Sequence, residues 1–156
     1  MTHKVLYFII FLISGCTAIS PERSQPLPRT EHAEALLQVL MALGVDYQYG
    51  GRSPTTGFDC SGLVAHVFQE AYGIRLPHNA RAQSEAGPPV SLTELQPGDL
   101  VFYDTLNQPY SHVGIYLGEG KFVHAPKTGA AVRVERVGAT YWTKRFNGAR
   151  RIELSP

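Results

Sequence analysis

Cysteine, charge imbalance and long apolar runs are all scarce in this sequence. Only Cys16 and Cys60 occur in 156 residues, too few for a fold stapled by disulfides. The 14 Lys+Arg nearly cancel the 13 Asp+Glu, so no basic field exists to hold nucleic acid. No apolar stretch reaches the roughly 20 residues that a membrane-spanning helix needs. What remains is ordinary: 44% hydrophobic and 17% charged residues, in a length that favours one domain with one modest core.

The N-terminus has its own pattern. Lys4 precedes the unbroken apolar run Val5 to Ile13, which suits the core of an export signal, typically about 7–15 residues. Ile13-Ser14-Gly15-Cys16 resembles the lipobox of bacterial lipoproteins. That resemblance implies cleavage after Gly15 and a lipid on Cys16, hence a membrane partner. Thr17, not aspartate, follows; by analogy with Gram-negative sorting this implies the outer membrane, facing the periplasm. Residues 17–29 hold three prolines and no hydrophobic period, a tether reaching at most about 40 Å. The expected organisation is signal 1–15, lipidated cysteine and tether 16–29, and folded domain 30–156. With Cys16 lipidated, Cys60 has no disulfide partner in an oxidising compartment, which calls for a reason to keep the thiol.

Along the domain, Thr30 to Leu43 read as a helix. Thr30 is its N-cap, Ala33, Leu36, Leu37 and Leu40 its apolar stripe, and Gly44 its stop. Residues 45–58 read as a glycine-rich loop. Cys60 to Tyr72 form a second helix, with Asp59 at or beside the N-cap and Gly73 after its end. A third helix is expected from Asn79 to near Gly87. Strands follow at 100–103, 112–117, 121–125 and 131–135, with a last one at 150–154. Helices first, then strands joined by short turns, give an α+β fold with an antiparallel sheet.

The chemistry centres on Cys60. It opens a helix, where free backbone N–H groups and the helix dipole favour a thiolate. A thiolate nucleophile needs a base. His3 lies in the signal, and His32 and His66 read as helix-surface or packing residues. His78 sits in a loop with no assigned role. His112 and His124 lie twelve residues apart on consecutive strands. A hairpin with a three-residue loop centred on Gly118 would set them directly opposite, on one face. A two-residue turn would break that pairing unless a bulge restored it. Paired imidazoles suit a base whose tautomer a neighbour fixes. Zinc is not expected: Asp59, adjacent to Cys60, would point away from a site shared with the two histidines.

Five segments carry a resemblance to one family. They are Tyr47-Gln48-Tyr49-Gly50-Gly51, Phe58-Asp59-Cys60-Ser61-Gly62-Leu63-Val64, Pro97-Gly98-Asp99-Leu100-Val101-Phe102, Ser111-His112-Val113-Gly114-Ile115-Tyr116 and Phe122-Val123-His124-Ala125. In order and spacing they resemble the NlpC/P60 cell-wall peptidases over roughly residues 30–153. The stretch from Tyr141-Trp142 to Arg150-Arg151 is similar to the lipoprotein subgroup of that family. The resemblance implies a papain-like α+β fold and hydrolysis of peptide bonds in peptidoglycan stems, commonly the γ-D-glutamyl bond to a diamino acid, without a cofactor or metal. By position it makes Cys60 the nucleophile, His112 the base and His124 the third polar residue. Tyr47 would help stabilise the oxyanion, and Asp59 and Ser61 would contact substrate. The expected partner is wall peptide, and the expected state is a monomer. The competing readings are a non-catalytic lipoprotein that binds wall peptides in the same groove, and an amidase or transferase with the same Cys–His chemistry. Lys144, Arg145, Arg150 and Arg151 read as a solvated basic face.

Overall fold

The computed structural model describes residues 31–154. The signal (1–15), Cys16, the tether and the Thr30 cap lie outside the described residues. Three helices come first: α1 (Glu31–Ala42), α2 (Cys60–Tyr72) and the single turn α3 (Ala80–Gln83). The 45–58 segment contains a minimal hairpin, β1 (Arg52–Ser53) with β2 (Gly57–Phe58). Then come β3 (Pro89–Val90), β4 (Leu100–Tyr103), β5 (His112–Gly118), β6 (Lys121–His124), β7 (Arg133–Arg136), the short helix α4 (Thr140–Thr143) and β8 (Phe146–Arg150). The six-stranded sheet runs β3-β8-β4-β5-β6-β7, every neighbouring pair antiparallel. The expected α+β class is what is seen.

Helix boundaries follow local chemistry. The Asp59 side chain accepts from Gly62 N–H and caps α2, and Gly73, at φ 68°, ends it in the left-handed conformation. Asn79 caps α3 in the same way. That helix is much shorter than the expected 79–87 span, because Gly87 at positive φ and two following prolines turn the chain away.

Two layers of core flank the sheet. Phe58, Leu63, Val64, Val67 and Phe68 pack with Leu100, Phe102, Val113, Ile115 and Val123. Val101, Tyr103, Phe122, Trp142 and Ala149 form a separate cluster. The inward face of α1 departs from expectation. Val39 and Ala42 are buried, with Ala35 packed beside them, whereas Leu36, Leu37 and Leu40 are 45–56% exposed. α1 lies against α2, and the smaller side chains fill that interface.

Three sequence expectations about strands are corrected. The last strand is 146–150, not 150–154, and it returns to pair with β4 instead of extending the meander. The strand expected at 131–135 starts at Arg133, with Ala131 only bridged to Asp46. The β5–β6 turn is also not the three-residue loop centred on Gly118. Glu119 and Gly120, both at positive φ, make a two-residue turn of the kind that suits strand twist, and the register shifts between Tyr116 and Gly118.

Candidate active site

That register shift controls the histidines. An uninterrupted two-residue turn would place residues 112 and 124 on opposite faces. The bulge at Leu117 adds one residue and restores the parity. Ile115 then pairs with Val123 and Tyr116 with Phe122, so that His124 falls opposite Gly114, and His112 is its diagonal neighbour instead of its direct partner. Gly114 makes room: a Cβ there would press on Phe122 and the Val123 carbonyl. The result is a buried contact of 2.8 Å between His112 Nε2 and His124 Nδ1.

The relay continues beyond His124. Phe122 pairs with Glu135, and His124 with Arg133, across β6–β7, which puts all four side chains on one face. His124 Nε2 lies 3.3 Å from Glu135 Oε1, an ion-pair distance whose alignment leaves the nitrogen without a formed hydrogen bond. Glu135 is itself held, by Arg133 Nε at 2.6 Å and by the Trp142 indole N–H. Trp142 stacks on the His112 ring and meets the His124 ring edge to face. Sequence reasoning missed Glu135 and Trp142. The only available signal was strand alternation from Arg133 to Glu135, which is uninformative until the register with β6 is known.

Cys60 stands at the first position of α2, which packs on β5. Its sulfur takes a hydrogen bond from the backbone N–H of Val113, the residue next to His112. Part of the residue faces a groove, yet the sulfur is largely enclosed. Burial, with the charge of Asp59, pushes the thiol up to about 11, against the lowering effect of the N–H groups of Val113, Ser61 and Cys60. The expected lowering of the thiol pKa is therefore reversed in the free protein, because desolvation outweighs the helix start. The imidazoles shift the other way. Burial and the neighbouring His124 bring His112 down to about 3, opposed by Glu135. Burial brings His124 to about 4, again opposed by Glu135. Both directions favour an uncharged thiol and uncharged imidazoles at rest.

The groove, about 460 Å³, is lined by Tyr47, Asp59, Cys60, Ser61, His78, Arg81, Tyr110 and Ser111, among others. Tyr47 lies close enough to Cys60 and Asp59 for their charges to add to burial in raising its pKa. Asp59 is heavily engaged within the fold. Oδ1 accepts from Gly62 N–H and Ser61 Oγ, and Oδ2 from Gly50 N–H. Ser61 is buried, with its hydroxyl turned to Asp59. A Cβ on Gly62 would collide with the Gly51 carbonyl, so glycine at this position lets the tyrosine-bearing loop lie against α2. Buried Gln83 donates to the carbonyls of Ser61 and Pro77, tying α3 to the wall of the groove. His78, left without a role by the sequence, is at this wall. His66 packs on Phe58 outside the groove, and His32 lines a separate cavity with Phe68 and Tyr72. Among the described residues, no three His, Cys, Asp or Glu side chains are arranged to hold a metal ion.

Comparison with known proteins places this arrangement. A profile described as the NlpC/P60 family matches residues 44–151. The chain is 43% identical over 109 residues to murein DD-endopeptidase MepS/murein LD-carboxypeptidase of Escherichia coli, covering 70% of this chain and 56% of the relative. It is 37% identical over 138 residues to the gamma-DL-glutamyl hydrolase of Bacillus subtilis, covering 88% of this chain and 33% of that protein. The crystal structure of an NlpC/P60 family protein from Bacillus cereus superposes with a TM-score of 0.72 at 30% identity, over 80% of this chain and 40% of the other. The chain thus spans between a third and a little over half the length of these relatives.

Proposed function

The chain belongs to the NlpC/P60 family, and from that premise we propose that it is a cysteine peptidase that hydrolyses peptide bonds in peptidoglycan. The observation that carries the proposal is the buried His112–His124 contact on β5–β6, at the strand from which Val113 reaches the Cys60 sulfur.

Cys60 is the nucleophile and His112 the base. His112 Nε2 is engaged by His124, so Nδ1 is the nitrogen left to accept the thiol proton. Substrate entering the groove displaces water and brings a carbonyl to the sulfur, and proton transfer to Nδ1 accompanies attack. The tetrahedral intermediate collapses to a thioester as the imidazolium protonates the leaving amine. Water, deprotonated by the same imidazole, then releases the acid. Tyr47 is placed to support the oxyanion through its hydroxyl. Asp59 caps the helix, and at the groove Asp59 and Ser61 contact the stem peptide through the lone pairs that their internal hydrogen bonds leave open.

The more similar of the two relatives is a DD-endopeptidase and the other a gamma-DL-glutamyl hydrolase. Cross-link cleavage is therefore the first expectation, and the γ-D-glutamyl bond the second. Digestion of isolated cell wall, with mass spectrometry of the released muropeptides, identifies the bond. Cys60→Ala is expected to abolish release while melting as the parent does. Equal release by both proteins would leave only wall binding.

The lipobox-like Ile13-Ser14-Gly15-Cys16 supports a lipid anchor on Cys16, and Thr17 after it supports an outer-membrane location facing the periplasm; we propose in addition that the protein acts as a monomer. Labelling with a fatty-acid analogue is expected to mark the parent chain and not Cys16→Ser. Recovery of unlabelled parent in the cytosol would reject export.

A further inference from the structure

The 2.8 Å contact between His112 Nε2 and His124 Nδ1 holds one proton, which can sit on either nitrogen. Only one arrangement leaves a base. If the proton is on His112 Nε2, then Nδ1 keeps a lone pair for the thiol. If it is on His124 Nδ1, a neutral His112 carries its own proton on Nδ1 and cannot accept another. Nothing within the two rings chooses between these states.

We propose that Glu135 makes the choice: it is a positioning residue that holds His124 as the Nε2–H tautomer and thereby keeps His112 Nδ1 free to act as base. Three observations carry this. His124 is fully buried, and its Nε2 has no formed hydrogen bond, with Glu135 Oε1 the facing acceptor at 3.3 Å. A carboxylate there favours a proton on Nε2, since the other tautomer would set a lone pair against a negative charge. The carboxylate is also kept charged and aimed. Arg133 donates to Oε1 and the Trp142 indole to Oε2, and although burial works against ionisation, these donors hold Glu135 below the ordinary range. The same indole stacks on His112, so one residue braces both ends of the relay.

The charged and titratable groups around this relay are Cys60 from α2, Tyr103 from β4, and Arg133 and Glu135 from β7. Tyr103, whose buried hydroxyl has no partner, is kept protonated by burial and by Glu135. Besides the thiolate formed in the same step, Glu135 is the group among these that favours the imidazolium; Arg133 opposes it at His124.

The inference rests on the peptidase reading, and its experiment separates the two. In Glu135→Gln the charge is lost and the amide can present either a donor or an acceptor. We expect kcat on wall peptide to fall about tenfold or more with KM nearly unchanged, by analogy with carboxylates behind metal-bound imidazoles. The limb of the pH profile set by the imidazole should move to lower pH, which loss of packing alone would not produce. Nitrogen-15 NMR of the histidine rings in the unmodified protein should show His124 protonated at Nε2 and accepting at Nδ1. A parental pH limb and kcat in Glu135→Gln, or a His124 proton on Nδ1, overturns the assignment. If the variant does not fold, the NMR measurement on the parent decides. A parent that cleaves no wall peptide but shows this tautomer keeps the inference and removes the functional reading.

Discussion

His112 and His124 illustrate what burial does to a titrating side chain. Each would ionise near 6.5 in the unfolded chain but only near 3 and 4 in the folded one. As the pH falls, the unfolded chain binds these protons first. The stability that the pair contributes is therefore complete above about 6.5 and is lost progressively toward about 3. Thermal melts should show Tm dropping across that window. The drop should be shallower in His124→Asn, which removes one titrating group, and an equal slope in both proteins would contradict the burial of His124 as a neutral ring. Cys60 follows the same rule with opposite sign. Its enclosed thiol resists ionisation, so reactivity depends on substrate and imidazole together and not on the helix start alone.

At the level of elements, a twelve-residue separation across a two-residue turn needs one residue of bulge to set the two histidines on one face. Leu117 is the extra residue between the Tyr116–Phe122 and Gly118–Lys121 pairs. Deleting it would close the ladder without changing the pairs on either side, and the shorter eleven-residue separation across a two-residue turn would keep His112 and His124 on one face. Deletion of Leu117 is expected to retain hydrolysis, as read by wall digestion alongside circular dichroism; its complete loss in a folded variant would show that the local twist of the bulge, not strand parity, sets the His112–His124 contact. The helices show how element-level reasoning succeeds and fails. Asp59 and Gly73 bound α2 as their chemistry requires. On α1, Leu36, Leu37 and Leu40 have the right period, but the residues packed into the core are Ala35, Val39 and Ala42. Periodicity reports that a helix has an apolar side; the partner surface selects the residues that touch.

Over the whole molecule, the C-terminal basic cluster proves to be more than a solvated face. Arg151 donates through Nε and Nη2 to the two oxygens of Asp99, which is 2% exposed, and also to the Glu94 carbonyl. This joins the end of the chain to the turn that enters β4, 52 residues earlier. Arg145 instead lies over the Tyr141 ring. Removing Arg151 strands a buried carboxylate, although the arginine side chain is itself 37% exposed and water can partly replace it. Arg151→Met should lower Tm by several degrees, at roughly 2–4 °C per kcal/mol for a domain of this size, with kcat on wall peptide retained. An unchanged melt would mean that solvent compensates fully.

The sequence by itself determined the α+β class, the ends of the nucleophile helix and the motifs that resemble the NlpC/P60 family. Each depends on contacts a few residues apart, or on residue types at fixed spacing. The tertiary structure decided which groups meet. The bulge that brings His124 back to the face of His112, the Glu135 and Trp142 brace behind them, and the enclosure that raises the Cys60 thiol all arise from register and packing between distant segments. No local pattern encodes those quantities, because a strand residue reaches its partner only once the whole sheet has chosen its alignment.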